Sequence, residues 1–353
     1  MIEVRSFLLF LCIVPGLLSG CQSGAPTERS YSDMQGETMG TYYKVTYYDS
    51  LDRTLQPGVD SLLARLNQEV STYIESSTIS RFNQSEKGIS LSYNPYGREE
   101  AYENEHFKKN FSVAASMYRL TDGNLDASVM PLVNYWGFGY SEKRKVTVVD
   151  SNRIDSLLQF VGMDKVNMSS DSLRKNMPGV QLDFSALAKG YGVDLIGEFL
   201  NERGIRHFFV DIGGEVVVSG RSPRGDDWRI GISDPRENAG LEDIQTAIPI
   251  TDRAMATSGN YRNVYEVNGL KYSHTINPKS GYPERSSLLS ATVLAPDCMR
   301  ADALATACMV AGAEEALQYA KSDDEIEVYL IVGLPDGSLD VRYSEGFKTY
   351  FDK

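Results

Sequence analysis

The segment His207-Phe-Phe-Val-Asp-Ile-Gly-Gly-Glu-Val-Val-Val-Ser219 constrains the fold more than any other part of the chain. Two runs rich in β-branched and aromatic residues, His207–Asp211 and Glu215–Ser219, are joined through Ile212-Gly213-Gly214, which is a hairpin signal. Just upstream, Val180–Phe184 reads as a short strand, Ser185 as a helix cap, Ala186–Glu202 as a helix and Gly204 as its left-handed stop. Further strands are expected at Thr41–Tyr48, Val146–Val149, Trp228–Ile232, Thr246–Ile250, Ala254–Ser258, Asn263–Val267, Ser290–Leu294 and Glu327–Val332. Helical spacing marks Val59–Val70, Phe107–Leu120 and Ile154–Val161, with a short helical element inside Ser71–Asn83. Gln84–Glu105 and Tyr140–Lys145 read as polar surface stretches. Strands outnumber helices and hairpins dominate, so the expected fold is α+β with mainly antiparallel sheet, not a doubly wound parallel sheet.

The amino terminus sets the compartment. Arg5 precedes a short apolar run that ends in Leu18-Ser-Gly-Cys21, the layout of a secretory signal too short for a spanning helix that stays. The ending resembles a bacterial lipobox, in which Cys21 is acylated and becomes the first mature residue. Residues 1–20 are then signal, 21–35 a polar tether and 36–353 the folded part, one domain or two intertwined subdomains. Cys298 and Cys308 remain, ten apart on one expected helix, so the helical rise holds them roughly 15 Å apart and they cannot bridge. A net charge of −13, from 35 Lys and Arg against 48 Asp and Glu, argues against nucleic acid and against adhesion to anionic lipid.

Several segments carry polar groups in patterns that suit chemistry. In Cys298-Met-Arg-Ala-Asp-Ala-Leu-Ala-Thr-Ala-Cys308, Asp302 and Thr306 lie four apart and share one face of a helix. Such hard oxygen donors suit Mg²⁺, which completes its shell with water and phosphate; taken alone, the pair is more simply explained by a buried Asp bonded to a turn and a Thr bonded back to its own helix. Asp183-Phe-Ser-Ala-Leu-Ala-Lys-Gly190 sets an acid before a helix start, where free amides and Lys189 are able to hold a diphosphate; alternatively Asp183 caps the turn and Lys189 is solvated. Asp126 lies in Thr121-Asp-Gly-Asn-Leu-Asp126 near Trp136 and Phe138, either offered to a ligand beside an aromatic wall or next to two core aromatics. His274, in Tyr272-Ser-His-Thr-Ile-Asn-Pro-Lys-Ser-Gly-Tyr-Pro283, is a general-base or ring-contact candidate, or a satisfied polar side chain.

Together, Glu37-Thr-Met-Gly-Thr41, Ser71-Thr-Tyr73, Arg81-Phe-Asn83, Thr121-Asp-Gly123, Asp183-Phe-Ser-Ala-Leu-Ala-Lys-Gly190, Asp211-Ile-Gly-Gly214, Ser258-Gly259, His274-Thr-Ile-Asn-Pro278 and Ala301-Asp-Ala-Leu-Ala-Thr306 resemble, in order, the ApbE-type FAD:protein FMN transferases. The resemblance implies an ApbE-like, T-fold-like architecture. It also implies a reaction in which Mg²⁺ assists transfer of FMN from FAD to a Thr or Ser hydroxyl of an exported acceptor, such as a membrane redox subunit, releasing AMP. By the same resemblance, Asp302, Thr306 and the Ala186 carbonyl hold Mg²⁺, and Met39, Tyr73, Asn124, Leu125, Asp126, Asp183, Lys189, His274 and Ile276 line the FAD site. His274 is the candidate proton acceptor. The sequence leaves open an FAD pyrophosphatase, in which water replaces the acceptor, and a lipoprotein that binds FAD without chemistry.

Overall fold

The computed structural model describes residues 30–92, 104–140, 146–236, 239–240, 243–260, 264–267 and 270–351. In chain order these form β1 (Ser32–Thr38), β2 (Thr41–Tyr47), α1 (Gln56–Val70), α2 (Thr78–Gln84), β3 (Gly88–Ser90), α3 (Glu105–Leu120), α4 (Met130–Tyr135) and α5 (Ser151–Leu158). Next come β4 (Val166–Met168), β5 (Ser172–Lys175), α6 (Ala188–Glu202), β6 (Phe208–Ile212), β7 (Glu215–Ser219), β8 (Trp228–Ser233), β9 (Ile244–Ile250) and β10 (Arg253–Gly259). The remainder is β11 (Val264–Val267), β12 (Leu270–Ser273), β13 (Leu288–Ala295), α7 (Cys298–Ala311), α8 (Ala313–Ser322), β14 (Glu327–Gly333) and β15 (Leu339–Tyr343).

Among the described residues, eight strands build one sheet in the order β1-β2-β6-β7-β10-β13-β14-β15, and each neighbouring pair is antiparallel. The expected α+β class holds, and the hairpin at its centre is β6–β7, turned by Gly213 and Gly214 at φ 63° and 108°. Alternation along β6 explains the layering. Phe208, Val210 and Ile212 point to the face covered by α1 and α6, while Phe209 packs on the opposite side, which the β8–β9 hairpin covers. Completely burying a side chain such as Val210 or Ile212 contributes about 1.5–3 kcal/mol, so register here is strongly specified.

Helix α7 is buried nearly all round and lies on β10 and β13, with α6 beside it. Its approach to α6 requires Gly190: a Cβ there would stand 2.3 Å from the Cys298 carbonyl oxygen and 2.9 Å from Asp302 Cβ. Cys298 and Cys308 are both free thiols without exposure, as small core residues.

Several expectations change. The tether is shorter than its composition implied, because Ser32–Gln35 already pair with β2 in β1. Val146–Val149 forms no strand; Val148 is exposed and nothing pairs with it in a ladder among the described residues. Val180–Phe184 contributes only one parallel bridge, Val129 to Gln181, instead of a strand. The following helix starts at Ala188, not Ala186, and Ser185 does not cap it: its amide and hydroxyl both donate to Asp183 instead. The stretch 84–105 includes β3 and the buried Asn104, so it is not surface throughout. Gly204, at φ 79°, does follow the helix as its left-handed stop.

Gly190→Ala is expected to lower stability by about 1–3 kcal/mol, since the added methyl meets backbone that cannot swing aside. The midpoint of denaturant unfolding checks this, and an unchanged midpoint would show that α6 and α7 part without cost.

Candidate active site

The helix pair α6–α7 and the β6–β7 turn bring three charged side chains together. Lys189 Nζ lies 3.3 Å from Glu215 Oε1 and 3.6 Å from Asp302 Oδ1. Asp302 Oδ2 accepts the Gly190 amide at 3.0 Å. Glu215 and Asp302 are buried at 5% and 2% exposure, so neither acid can turn to bulk water. Burial works against the Lys189 charge, but Asp302 and Glu215 outweigh it and hold the ammonium above the usual lysine value. Burial pushes the Glu215 carboxyl up to about 8; the Lys189 charge opposes that rise and the Asp302 charge adds to it.

Gly190 is the third residue of α6, so its amide is a first-turn donor with no partner in its own helix, and Asp302 satisfies it. The Ala186 carbonyl, just ahead of the helix, accepts no hydrogen bond among the described residues. Thr306, one turn beyond Asp302, does not bond back to its helix either: its hydroxyl meets Ser258 Oγ at 3.3 Å, at the end of β10. One carboxylate, one hydroxyl and one orphaned carbonyl are thus free of competing backbone bonds of their own helices. No group of three or more His, Cys, Asp or Glu suited to a metal occurs among the described residues. The donor set therefore suits a hard cation that takes most of its shell from water and phosphate.

Asp194, one turn past Gly190, fixes where α7 begins. Its two carboxylate oxygens accept the amides of Cys298 and Met299 at 2.8 and 2.9 Å. Burial raises this carboxyl to about 7, with the two amides opposing the shift.

Burial raises the Asp183 carboxyl, against the two bonds from Ser185. Desolvation first, and the Asp183 charge after it, push the phenols of Tyr73 and Tyr140 upward. Tyr73 is 72% exposed, an aromatic with little of its surface covered by the chain. His274 is exposed too, with Phe138 edge-on at 6.5 Å. Its loop is pinned by Trp136 Nε1 donating to the Gly281 carbonyl at 2.8 Å and by the Lys279–Asp122 pair at 3.2 Å. Met39 heads the β1–β2 turn at φ 51°, a left-handed conformation uncommon for this residue type, and its Cε lies 3.4 Å from where a Gly192 Cβ would stand.

Not every expected residue offers its side chain. Asn124 is buried and donates to Glu315 and the Tyr319 hydroxyl on α8. Leu125 and Ile276 are core residues at 3% and 6% exposure. Asp126 accepts the amide and hydroxyl of Ser128 inside its own turn. These four side chains are engaged in structural bonds or apolar packing within the chain. Lys189 is not the solvated cation of the alternative reading, since Glu215 and Asp302 hold it. Trp136 is core, and Cys21 lies outside the described residues. Sequence reasoning missed Glu215, Asp194 and Tyr140. Glu215 alone had a signal: an acid opening an otherwise apolar strand needs a buried cation.

The chain matches the model of the ApbE family over residues 39–330. It is 36% identical to the FAD:protein FMN transferase of Vibrio cholerae serotype O1 over 344 residues, 96% of either chain. Identity to the FAD:protein FMN transferase of Haemophilus influenzae is 34%, over 94% of this chain and 93% of the relative. Among solved structures, flavin transferase ApbE from Vibrio cholerae superposes with a TM-score of 0.80 at 34% identity, covering 91% of this chain and 99% of that one. The apo form of Pseudomonas stutzeri flavinyl transferase ApbE gives 0.80 at 30% identity, covering 93% and 99%.

Asp194 predicts a pH dependence. Its carboxyl is raised from 3.8 to about 7 on folding, so between those values the folded chain keeps a proton that the unfolded chain has lost. This group's contribution is fully present below pH 3.8 and is lost as pH rises toward 7. Asp194→Asn is expected to flatten the fall in stability across that window, read from denaturant midpoints at several pH values.

Proposed function

The chain belongs to the ApbE family, and from that premise we propose that it transfers the FMN half of FAD to a Ser or Thr hydroxyl of an acceptor protein. The observation that carries the metal part of this reading is the Asp302 carboxylate held by the Gly190 amide in the first turn of α6, with the Ala186 carbonyl unpaired just ahead of the same helix. Asp302, Thr306 and that carbonyl would hold Mg²⁺. When bound, the cation neutralises diphosphate oxygens and so raises the electrophilicity of phosphorus.

This chain's residues then have defined tasks. The α6 start and Lys189 favour the negative diphosphate, although two acids already share the ammonium. Tyr73 offers an aromatic face to a ring, and Met39 packs softly at the β1–β2 turn. The acceptor hydroxyl oxygen forms a bond to the FMN phosphorus, the bridging P–O bond breaks, and AMP leaves with the electron pair. His274, exposed on its pinned loop, takes the hydroxyl proton.

The acceptor is an exported protein, with membrane redox subunits as the class implied by the resemblance. Support for an exported, lipid-anchored enzyme is the Leu18-Ser-Gly-Cys21 ending of the apolar leader. No helix among the described residues is long and apolar enough to cross a membrane.

Incubation of the soluble form with FAD, Mg²⁺ and an acceptor bearing an exposed Ser/Thr motif is expected to add the mass of FMN to the acceptor. Asp302→Ala is expected to slow that gain about a hundredfold or more. Free FMN beside an unmodified acceptor would instead identify a pyrophosphatase, and a rate indifferent to chelation would remove the metal. Tyr73→Ala is expected to weaken FAD binding by about 0.5–1.5 kcal/mol, with an unaltered fluorescence titration removing this ring from the site.

A further inference from the structure

Lys189 is nearer to Glu215 Oε1, at 3.3 Å, than to Asp302 Oδ1, at 3.6 Å. The difference is small, but the two contacts compete for one ammonium on one side chain. Asp302 is the sole carboxylate in the proposed cation site, and its other oxygen already accepts the Gly190 amide. An ammonium settled on Oδ1 would occupy the position a divalent cation needs. Glu215 is the only other acid that holds this ammonium among the described residues, and it is placed to do so by the Gly213-Gly214 turn immediately before it. Its second oxygen, Oε2, is buried without a hydrogen-bond partner. An unpartnered buried oxygen of this kind is costly, and folding alone gives no reason to keep it.

Building on the metal reading above, we infer that Glu215 is a positioning residue: it draws the Lys189 ammonium off Asp302 and so keeps the Asp302 carboxylate open to Mg²⁺. The role needs an acceptor oxygen at the Oε1 position more than it needs a charge. Replacing Glu215 with an apolar side chain leaves Lys189 a single partner, and the ion pair with Asp302 closes over the cation site. Gln retains a carbonyl oxygen at the right reach, so it should preserve the division.

The test is titration of Mg²⁺ into the soluble, FAD-free protein, followed by calorimetry at fixed pH and ionic strength. Glu215→Leu is expected to weaken Mg²⁺ binding about five- to tenfold, while Glu215→Gln stays within about twofold of the unaltered protein. Lys189→Met removes the competitor and is expected to tighten binding by about the same factor. A merely structural Glu215 would shift the melting temperature and leave Mg²⁺ affinity alone. Equal affinity for the unaltered protein and a folded Glu215→Leu overturns the inference. Should Glu215→Leu fail to fold, Lys189→Met decides: unchanged or weaker Mg²⁺ binding overturns it. An unaltered protein that takes up no Mg²⁺ overturns the metal reading itself, and this inference with it.

Discussion

The amide of Gly190, a first-turn donor with no partner in its own helix, is held by Asp302, and much of the molecule is arranged around that one bond. It ties α6 to α7 and sets the side chain of Asp302 at a fixed depth. The bond exists only because Gly190 has no Cβ to hold the two helices apart. Asp194, also on α6, repeats the tie by accepting the first amides of α7. Two anchors on one helix leave the other helix no freedom to slide.

Burying Asp302, Glu215 and Lys189 together costs several kcal/mol of lost hydration per ion, and mutual attraction repays this only with good geometry. Here the geometry is incomplete: Glu215 Oε2 has no partner and the Lys189–Asp302 contact is loose. Such a cluster is a poor way to stabilise a fold. It is a reasonable way to keep one carboxylate available in a core where an isolated one would not survive.

What the sequence revealed follows the range of the interactions involved. The β6–β7 hairpin, α1 and α3 depend on neighbours within a few residues, and their patterns predicted them closely. Helix α8 and strand β15 were missed although both form against sequence neighbours, α8 on α7 and β14, and β15 on β14. Val146–Val149 has the composition of a strand and lacks a neighbour to pair with, because β propensity becomes a strand only within a ladder. Ser185 looked like a cap, yet Asp183 two residues earlier competes for its amide and hydroxyl. In the site, Asp302 and Thr306 were legible because their pairing is set by helical spacing alone. Glu215 was not, since only the folded sheet brings it to Lys189 across the chain. Asn124 and Leu125 show the reverse limit: a motif fixes the residue type, while packing against α8 and the core decides which way the side chain faces.

The residues proposed for the site therefore fall into two groups with different mechanical characters. Asp302, Thr306, Lys189 and Glu215 sit on buried helices and a central hairpin, where close packing fixes positions. Tyr73 and His274 sit on exposed loops, one largely uncovered and the other steadied by Trp136 and Lys279 at its far end. Charge stabilisation at a phosphate tolerates little misplacement, so it belongs on the rigid half. Meeting a protein acceptor requires access from outside, and an exposed imidazole satisfies that where a buried one would not. The α6–α7 seam itself closes only because Gly190 carries no Cβ.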